Sequence, residues 1–159
     1  MPKIDVNIKK LNEKAIIPTY GTECSAGFDL YSVSDEEITI NPHETVFIKT
    51  GLAMEIPIGY GGFIFARSGL STKKGLAPVN KVGIIDADYR GEIMVALYNQ
   101  TDETKTIDAH ERIAQMVIMP FITANFIETN ELSETKRGNN GFGSSGKWFV
   151  IYIKKRVIY

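Results

Sequence analysis

Short runs in which apolar and polar residues alternate with a period of two dominate the chain. Alternation of this kind covers residues 4–8 and Ile38–Ile40, and a β-branched and aromatic run covers Thr45–Lys49. Because successive side chains of a strand point to opposite faces, this pattern predicts half-buried β-strands. More continuous apolar runs predict buried strands at residues 62–66, 93–98 and 116–119.

Turn-forming residues separate these runs, and no long segment has the 3.6-residue period of a helix. At most, residues 69–74 form one short helix closed by Gly75. Many short strands at close spacing predict an all-β fold, a sandwich or a barrel, jelly-roll included. We expect residues 1–130 to form one domain, residues 131–146 to form a flexible glycine-rich lid, and residues 147–159 to be an apolar and basic extension of unknown role.

Composition narrows the class of protein. A chain of 159 residues that is 43% hydrophobic and 23% charged fits one globular domain with a substantial core. A formal net charge of −1 argues against a protein that mainly wraps nucleic acid, although a local basic pocket remains compatible with it. The single cysteine, Cys24, excludes an internal disulfide. No signal peptide or membrane-spanning run is evident, so we expect a cytoplasmic location.

Three polar segments punctuated by glycine carry residues that could bind and cleave a phosphate chain. In residues 66–70, Arg67 and Ser68 could bind an anion at an open helical turn, or could be a surface charge and an N-cap. In residues 83–91, Asp86 follows an apolar run and could act, partly desolvated, as a general base on water. Aspartate and glycine are also common in hairpin turns for backbone reasons alone.

The third polar segment, residues 138–146, contains an aromatic residue that a simple linker would not need. Phe142 stands between two glycines, and a ring on such a hinge could stack on a planar ligand. Arg137, Ser144 and Ser145 could then bind phosphate oxygens. The alternative is an ordinary glycine-serine tail.

Two isolated polar residues on apolar strands, Asp29 and Gln115, need hydrogen-bond partners, which could be a ligand or a neighbouring backbone group. Several other site types do not occur in the sequence. It has neither a P-loop nor a dinucleotide-binding glycine motif, and a single cysteine excludes the zinc deaminase pattern. The two histidines, His43 and His110, lack the spacing of metal ligands.

Taken in order, these segments resemble the five motifs of the homotrimeric dUTP nucleotidohydrolases, the dUTPases. The resembling segments are residues 26–30, residues 66–70 with Lys73 and Gly75, residues 80–91, residues 112–116 and residues 137–146. The resemblance implies a jelly-roll-like, distorted β-barrel that forms a homotrimer with active sites at the subunit interfaces. It implies Mg²⁺-dependent hydrolysis of dUTP to dUMP and pyrophosphate, which keeps uracil out of DNA and supplies dUMP for dTMP synthesis.

The resemblance also implies roles for single residues. Asp86 would activate the water that attacks the α-phosphorus, and Gln115 would contact the α-phosphate and that water. Tyr89 would lie under the deoxyribose, where a 2′-hydroxyl would clash. Asn80 and the backbone that includes Gly83 would pair with the polar edge of uracil and leave no room for the methyl group of thymine.

Other implied roles concern the triphosphate and the lid. The phosphate oxygens would be held by Arg67, Ser68 and Gly69. Phe142 would cap uracil from another subunit, and the γ-phosphate would be covered by Arg137, Gly143, Ser144 and Ser145. Mg²⁺ would be held by phosphates and waters rather than directly by protein. For Asp29 two roles stay open, contact with metal-bound water and a structural role.

Two substitutions and two alternative functions qualify the resemblance. Asn140 stands where the family usually has glycine, and Ser145 replaces a more usual threonine while keeping the hydroxyl. A dCTP deaminase of the same superfamily also has an arginine-serine turn. A jelly-roll module that binds nucleotide or protein without turnover is the non-enzymatic alternative.

Overall fold

The computed structural model describes residues 3–141, and the elements in this part of the chain are eleven strands and one helical turn. The strands are β1 (Asn7–Lys10), β2 (Phe28–Tyr31), β3 (Ile38–Ile40), β4 (Thr45–Lys49), β5 (Leu52–Glu55), β6 (Tyr60–Phe65), β7 (Leu76–Pro78), β8 (Val82–Ile85), β9 (Met94–Asn99), β10 (Lys105–Ile107) and β11 (Arg112–Pro120). The helical turn is Leu70–Lys74. The predicted all-β fold is therefore confirmed.

All strand pairs are antiparallel, and they form four sheets. A four-stranded sheet has the order β2-β11-β6-β8, a three-stranded sheet has the order β4-β9-β7, and β1-β5 and β3-β10 are two-stranded. Most neighbours in these sheets are distant in the chain, as in jelly-roll topologies. Among the described residues the four sheets do not join into one closed ladder, so the barrel is distorted and open.

The core lies between the sheets and consists almost entirely of aliphatic side chains that alternate along the strands. Its fully buried members are Leu30, Ile40, Ile48, Leu52, Ile56, Leu76, Ile93, Val95, Leu97, Ile107, Ile113 and Met116. Burial of this apolar area is the main term that stabilises the fold. One buried amide, Asn99, donates to the carbonyl oxygens of Ile40, Asn41 and Glu103, so the turns at this end of the barrel are tied together.

The strands predicted at residues 38–40 and 45–49 have their observed bounds, those predicted at 62–66, 93–98 and 116–119 overlap β6, β9 and the longer β11, and the N-terminal one is displaced. The alternation at residues 4–8 predicts a strand there, whereas β1 covers Asn7–Lys10 because it pairs with β5 in the register Ile8 to Met54. The pairing partner, rather than local alternation, sets the register. The short helix is confirmed as a single turn closed by Gly75, whose φ of 69° is left-handed. A Cβ at Gly75 would collide with the Thr101 side chain, so the fold requires glycine here.

Residues 124–141 belong to a second unit and contain neither helix nor strand. They are exposed, apart from Gly141. No helix among the described residues has the length and apolarity needed to cross a membrane. The division of the chain near residue 130 into a domain and a lid remains a prediction.

Candidate active site

One row of paired residues crosses the four-stranded sheet and fixes the positions of the predicted site residues. Asp29 on β2 pairs with Gln115 on β11, Gln115 pairs with Phe65 on β6, and Phe65 pairs with Val82 on β8. Arg67 lies two residues past Phe65, just after the end of β6. Asp86 lies four residues past Val82, just after the end of β8, and β8 runs in the opposite direction to β6. The two predicted groups therefore occupy different corners of one sheet.

A cleft lined by two arginines lies at the corner that contains Asp29. The cleft has a volume of about 470 Å³, and its charged side chains are Asp29, Arg67 and Arg112. Nε of Arg67 donates to Oδ1 of Asp29 at 2.8 Å, and Nη1 of Arg112 donates to Oδ2 at 3.1 Å. Two guanidinium groups against one carboxylate leave a net positive charge, which suits a bound phosphate.

Gln115 forms part of the wall of this cleft, as its position on the central strand predicts. Its Nε2 donates to the carbonyl oxygen of Ala66 at 2.9 Å, so the predicted need for a partner is met by backbone. A Cβ at Gly27 would lie 3.1 Å from Oε1 of Gln115, which shows how closely the two residues pack. Among residues 3–141 this Oε1 has no hydrogen-bond partner, so one end of the amide remains available to a ligand or a water.

Ser68 and Gly69 begin the helical turn at the edge of the cleft, and both are exposed. Ser68 is not the side-chain N-cap that the structural alternative requires, because Gly69 occupies the N-cap position without a side-chain cap. A Cβ at Gly69 would meet nothing within 4 Å, and its φ of −61° is open to any residue. Neither conformation nor packing among residues 3–141 explains this glycine, whereas close approach of a ligand to the backbone would.

The turn that connects β7 in one sheet to β8 in another carries Asn80, and Gly83 follows on β8. Lys81 has a left-handed φ of 65°, and the amide of Val82 donates to the carbonyl oxygen of Asn80 at 2.7 Å. A Cβ at Gly83 would lie 3.3 Å from both Nδ2 of Asn80 and Cβ of Ile64, so glycine is explained here by packing. The Asn80 side chain therefore lies close to the backbone of β8.

The turn after β8 holds Asp86 and Tyr89 in a defined arrangement. The amide of Tyr89 donates to the carbonyl oxygen of Asp86 at 3.1 Å, and the Tyr89 hydroxyl donates to the carbonyl oxygen of Glu92 at 2.9 Å. The Tyr89 ring lies so close to Gly91 that a Cβ there would collide with it. The ring is therefore fixed on one side, while 41% of the residue remains exposed.

Arg90 fastens this turn to β5. Its Nη1 donates to the carbonyl oxygens of Ala87 at 2.6 Å and Tyr89 at 3.0 Å, and Nη2 lies 3.4 Å from Oε1 of Glu55. A hydrogen bond from the Asn7 side chain and the positive charge of Arg90 lower the pKa of Glu55 from its ordinary value of 4.5. Glu55 is therefore ionised at neutral pH, and the contact with Arg90 is lost only as the pH falls through the lowered value.

The expected partial desolvation of Asp86 is wrong for the chain as described. The Asp86 side chain is exposed, and the preceding β8 is an edge strand rather than a buried one. Val82 is 38% and Ile84 is 62% exposed. These apolar side chains belong to the outer face of β8, so a continuous apolar run does not by itself indicate a strand buried on both faces.

The register places Asp86 far from the cleft that contains Asp29. The row from Asp29 to Val82 spans three strand spacings, about 14 Å across the sheet. Asp86 lies four residues beyond Val82, about 13 Å further in the direction of β8. The two carboxylates are thus separated by roughly 20 Å across the sheet. A base and a phosphate clamp that act on the same phosphoryl group must lie within a few ångströms of it. We conclude that the described residues of one chain do not bring them together.

The predicted lid, residues 131–146, begins within the second unit, and only its residues up to 141 are described. Nε of Arg137 donates to the carbonyl oxygen of Asn140 at 2.8 Å, which closes a tight turn around Gly138, with its φ of 51°. The remaining predicted lid residues, Phe142, Gly143, Ser144 and Ser145, lie outside the described residues. Their roles remain predictions.

The described residues do not fit a direct Mg²⁺ site. They contain no group of three or more histidine, cysteine, aspartate and glutamate side chains that could hold a metal ion. Both carboxylate oxygens of Asp29 already accept from arginines. This arrangement supports a structural role for Asp29, and its contact with metal-bound water stays a prediction.

The sequence does not single out three charged residues that connect the cleft or the helical turn to the start of β11. Arg112 shares Asp29 with Arg67, and Lys74 and Glu111 connect the helical turn to the start of β11. Arg112 and Asp29 are 83 positions apart in the chain, and Lys74 and Glu111 are 37 apart. Only strand order and register make such residues neighbours, and a single sequence does not contain that information.

Comparison with known proteins gives one consistent family. The protein-family model described as dUTPase matches residues 13–146. The deoxyuridine 5′-triphosphate nucleotidohydrolase of Nautilia profundicola is 52% identical over 142 residues, which cover 89% of this chain and 99% of that protein. The corresponding protein of Hydrogenobaculum sp. is 48% identical over 139 residues, with coverages of 87% and 96%.

Solved structures show the same likeness. The dUTPase of Staphylococcus bacteriophage 80alpha with dUpNHpp is 31% identical, with a TM-score of 0.83 and coverage of 91% of this chain and 100% of that one. A mutant dUTPase from phage phi11 of S. aureus, described with a structural Mg(II) ion, is 28% identical, with a TM-score of 0.73 and coverages of 80% and 98%.

Proposed function

The chain belongs to the dUTPase family, and from this we propose that it hydrolyses dUTP to dUMP and pyrophosphate through attack of water on the α-phosphorus. The observation that carries the proposal is the family match over residues 13–146, which includes every proposed site residue. The positively charged cleft and the exposed carboxylate after β8 supply the two kinds of group that the reaction needs. Hydrolysis of dUTP would remove the precursor of uracil in DNA, and its product dUMP would be available for dTMP synthesis.

Asp86 is the proposed general base. The backbone of its turn is held by the Tyr89 amide and by the guanidinium of Arg90, so the carboxylate projects from a braced loop. From this position it orients the attacking water and takes its proton as the bond to phosphorus forms. Phosphoryl transfer depends mainly on such positioning and on charge stabilisation.

The proposed triphosphate site is the cleft at the opposite corner of the sheet. Asp29 engages Nε of Arg67, which leaves part of its guanidinium group to bind phosphate oxygens. The exposed hydroxyl of Ser68 and the backbone at Gly69 add uncharged donors. Gln115 contributes the second N–H of its Nε2 as a donor to the α-phosphate, and its free Oε1 as an acceptor for the attacking water.

The proposed nucleoside site is the turn between β7 and β8, the start of β8, and the turn that follows β8. Asn80 and the backbone through Gly83 pair with the polar edge of uracil, in a space too small for a 5-methyl group. Tyr89 lies beneath the deoxyribose. Arg137, Phe142, Gly143, Ser144 and Ser145 close over the substrate as the lid.

Assembly into a homotrimer is part of the proposal. The separation of roughly 20 Å between the Asp86 turn and the cleft means that a complete site needs the turn of one chain and the cleft of a neighbour. The exposed apolar side chains of Val82 and Ile84 adjoin the Asp86 turn and suit burial against another subunit. Burial of this kind would also supply the desolvation that a single chain does not give Asp86.

Mg²⁺ is the proposed cofactor, and we assign it to oxygens of the substrate and of water. Mg²⁺ retains several waters and commonly binds through phosphates, so a protein cage is not required. The cytoplasmic location stays a prediction.

Turnover of a nucleotide panel with Mg²⁺ tests the proposed function. We expect pyrophosphate release from dUTP at a rate far above that from dTTP, dCTP and UTP, because Asn80 and the backbone of β8 select uracil and the ring of Tyr89 selects deoxyribose. Release of ammonia from dCTP would instead indicate the deaminase alternative. Binding of dUTP without turnover of any nucleotide would indicate the non-enzymatic alternative.

A Tyr89→Ala variant is expected to lose most of its discrimination between dUTP and UTP. Removal of the ring leaves space for a 2′-hydroxyl, and the ratio of kcat/KM for the two substrates should fall by roughly tenfold or more. Tyr89→Phe serves as the control, because it keeps the ring and removes only the bond to the Glu92 carbonyl. Unchanged selectivity in Tyr89→Ala would remove Tyr89 from this role.

A further inference from the structure

Lys74, the last residue of the helical turn, is bonded to the loop before β11. Its Nζ lies 3.0 Å from both carboxylate oxygens of Glu111 and donates to the carbonyl oxygen of Thr106 at 3.0 Å. Oε2 of Glu111 also accepts the amide of Asp108 at 2.9 Å. The side chains of Lys74 and Glu111 are 36% and 22% exposed, so both charges are partly withdrawn from solvent. Several contacts therefore fix the geometry of this ion pair.

The other end of the same segment is fastened by the next residue in the chain. Arg112 donates to Asp29, and Asp29 accepts from Arg67. Nη1 of Arg67 also lies 3.4 Å from the carbonyl oxygen of Arg112. Glu111 and Arg112 are consecutive residues of opposite charge at the start of β11. Glu111 thus holds one end of residues 67–74 through Lys74, and Arg112 holds the other end through Arg67 and Asp29.

The segment between these two anchor points is internally rigid. The Thr72 hydroxyl donates to the carbonyl oxygen of Ser68 at 2.6 Å, and the amide of Ser71 donates to the carbonyl oxygen of Arg67 at 2.9 Å. Leu70 is buried in the core. A displacement at Lys74 is therefore transmitted to Ser68 and Gly69 rather than absorbed within the turn.

We propose that the Lys74–Glu111 ion pair is a positioning contact, which sets the phosphate-binding turn at Ser68 and Gly69 in register with Gln115 on β11. Neither Lys74 nor Glu111 touches substrate in this proposal, which rests on the proposed function of the cleft. Because the turn binds phosphate before and during the reaction, misplacement weakens substrate binding more than it slows the chemical step.

The test compares four variants in steady-state hydrolysis of dUTP. Lys74→Gln and Glu111→Gln each remove one charge, and the glutamine at position 111 keeps an acceptor for the Asp108 amide. We expect each to raise KM by roughly threefold to tenfold with kcat changed less than about twofold. The double variant should cost little more than either single one, because both remove the same contact. The charge swap Lys74→Glu with Glu111→Lys should restore part of the affinity, because it re-forms the ion pair but not the bonds to the Thr106 carbonyl and the Asp108 amide.

Glu103→Gln is the matched control. It removes the ion pair between Glu103 and Lys105, which are only two residues apart in the chain. This ion pair does not connect different parts of the site. We expect its KM to stay at the parent value.

The possible outcomes separate the positioning role from a general effect on stability. A lower Tm with unchanged KM, or additive losses without recovery in the swapped chain, would overturn the proposal. Failure of the parent chain to hydrolyse dUTP would contradict the proposed function itself.

Discussion

An Asp86→Asn variant is expected to fold and assemble like the parent chain and to hydrolyse dUTP roughly 10²–10⁴-fold more slowly. Asparagine keeps the size of the side chain but cannot accept the proton of the attacking water. The turn itself should persist, because its hydrogen bonds run through the backbone of Asp86 and through Arg90 rather than through the Asp86 carboxylate. The loss should therefore fall on kcat, with KM for dUTP changed far less.

Single-turnover release of pyrophosphate at saturating dUTP measures this loss directly. Asp88→Asn is the matched control, because it removes an exposed carboxylate of the same turn without a proposed part in proton transfer. We expect its rate to remain within about tenfold of the parent. Full activity of Asp86→Asn, or an equal loss in both variants, would show that the base has been assigned to the wrong carboxylate.

Arg67→Ala is expected to lower kcat/KM for dUTP by roughly 10²–10³-fold. Its guanidinium group provides the positive charge that contacts the triphosphate, and its removal leaves Asp29 with Arg112 as its remaining charged partner. Arg67→Lys should recover only part of the loss, since an ammonium group cannot bind Asp29 and a phosphate in the planar manner of a guanidinium. Equal activity of Arg67→Lys and the parent would argue against that planar arrangement.

Much of the fold could be predicted from the sequence because local patterns determine it. Alternation of apolar residues predicts β3 and β4 with their observed bounds, and Gly75 correctly marks the end of the single helical turn. The position of β1 could not be predicted, because its register depends on β5, more than 40 positions away in the chain. Local alternation indicates that a strand is present, whereas its partner decides where it begins.

The residue types of the site could be predicted, but not its division between two corners of a sheet. Motif order places Asp86 and Arg67 in one chain only 19 positions apart, which suggests proximity. The antiparallel register of β6 and β8 instead sends them to opposite ends of the ladder. The exposure of Asp86 was also not predictable, because apolar residues on β8 resemble core residues until the sheet shows which face they occupy.

Mixing two inactive variants tests the central claim, that each site combines the Asp86 turn of one chain with the Arg67 cleft of another. Asp86→Asn and Arg67→Ala chains are unfolded together in equal amounts, refolded, and assayed for release of pyrophosphate from dUTP. Random assembly of trimers should give about one quarter of the sites an intact base and an intact clamp, and so about one quarter of the parent activity. If each chain carried its own complete site, every site would hold one defect. A mixture no more active than the two variants refolded separately would contradict the claim.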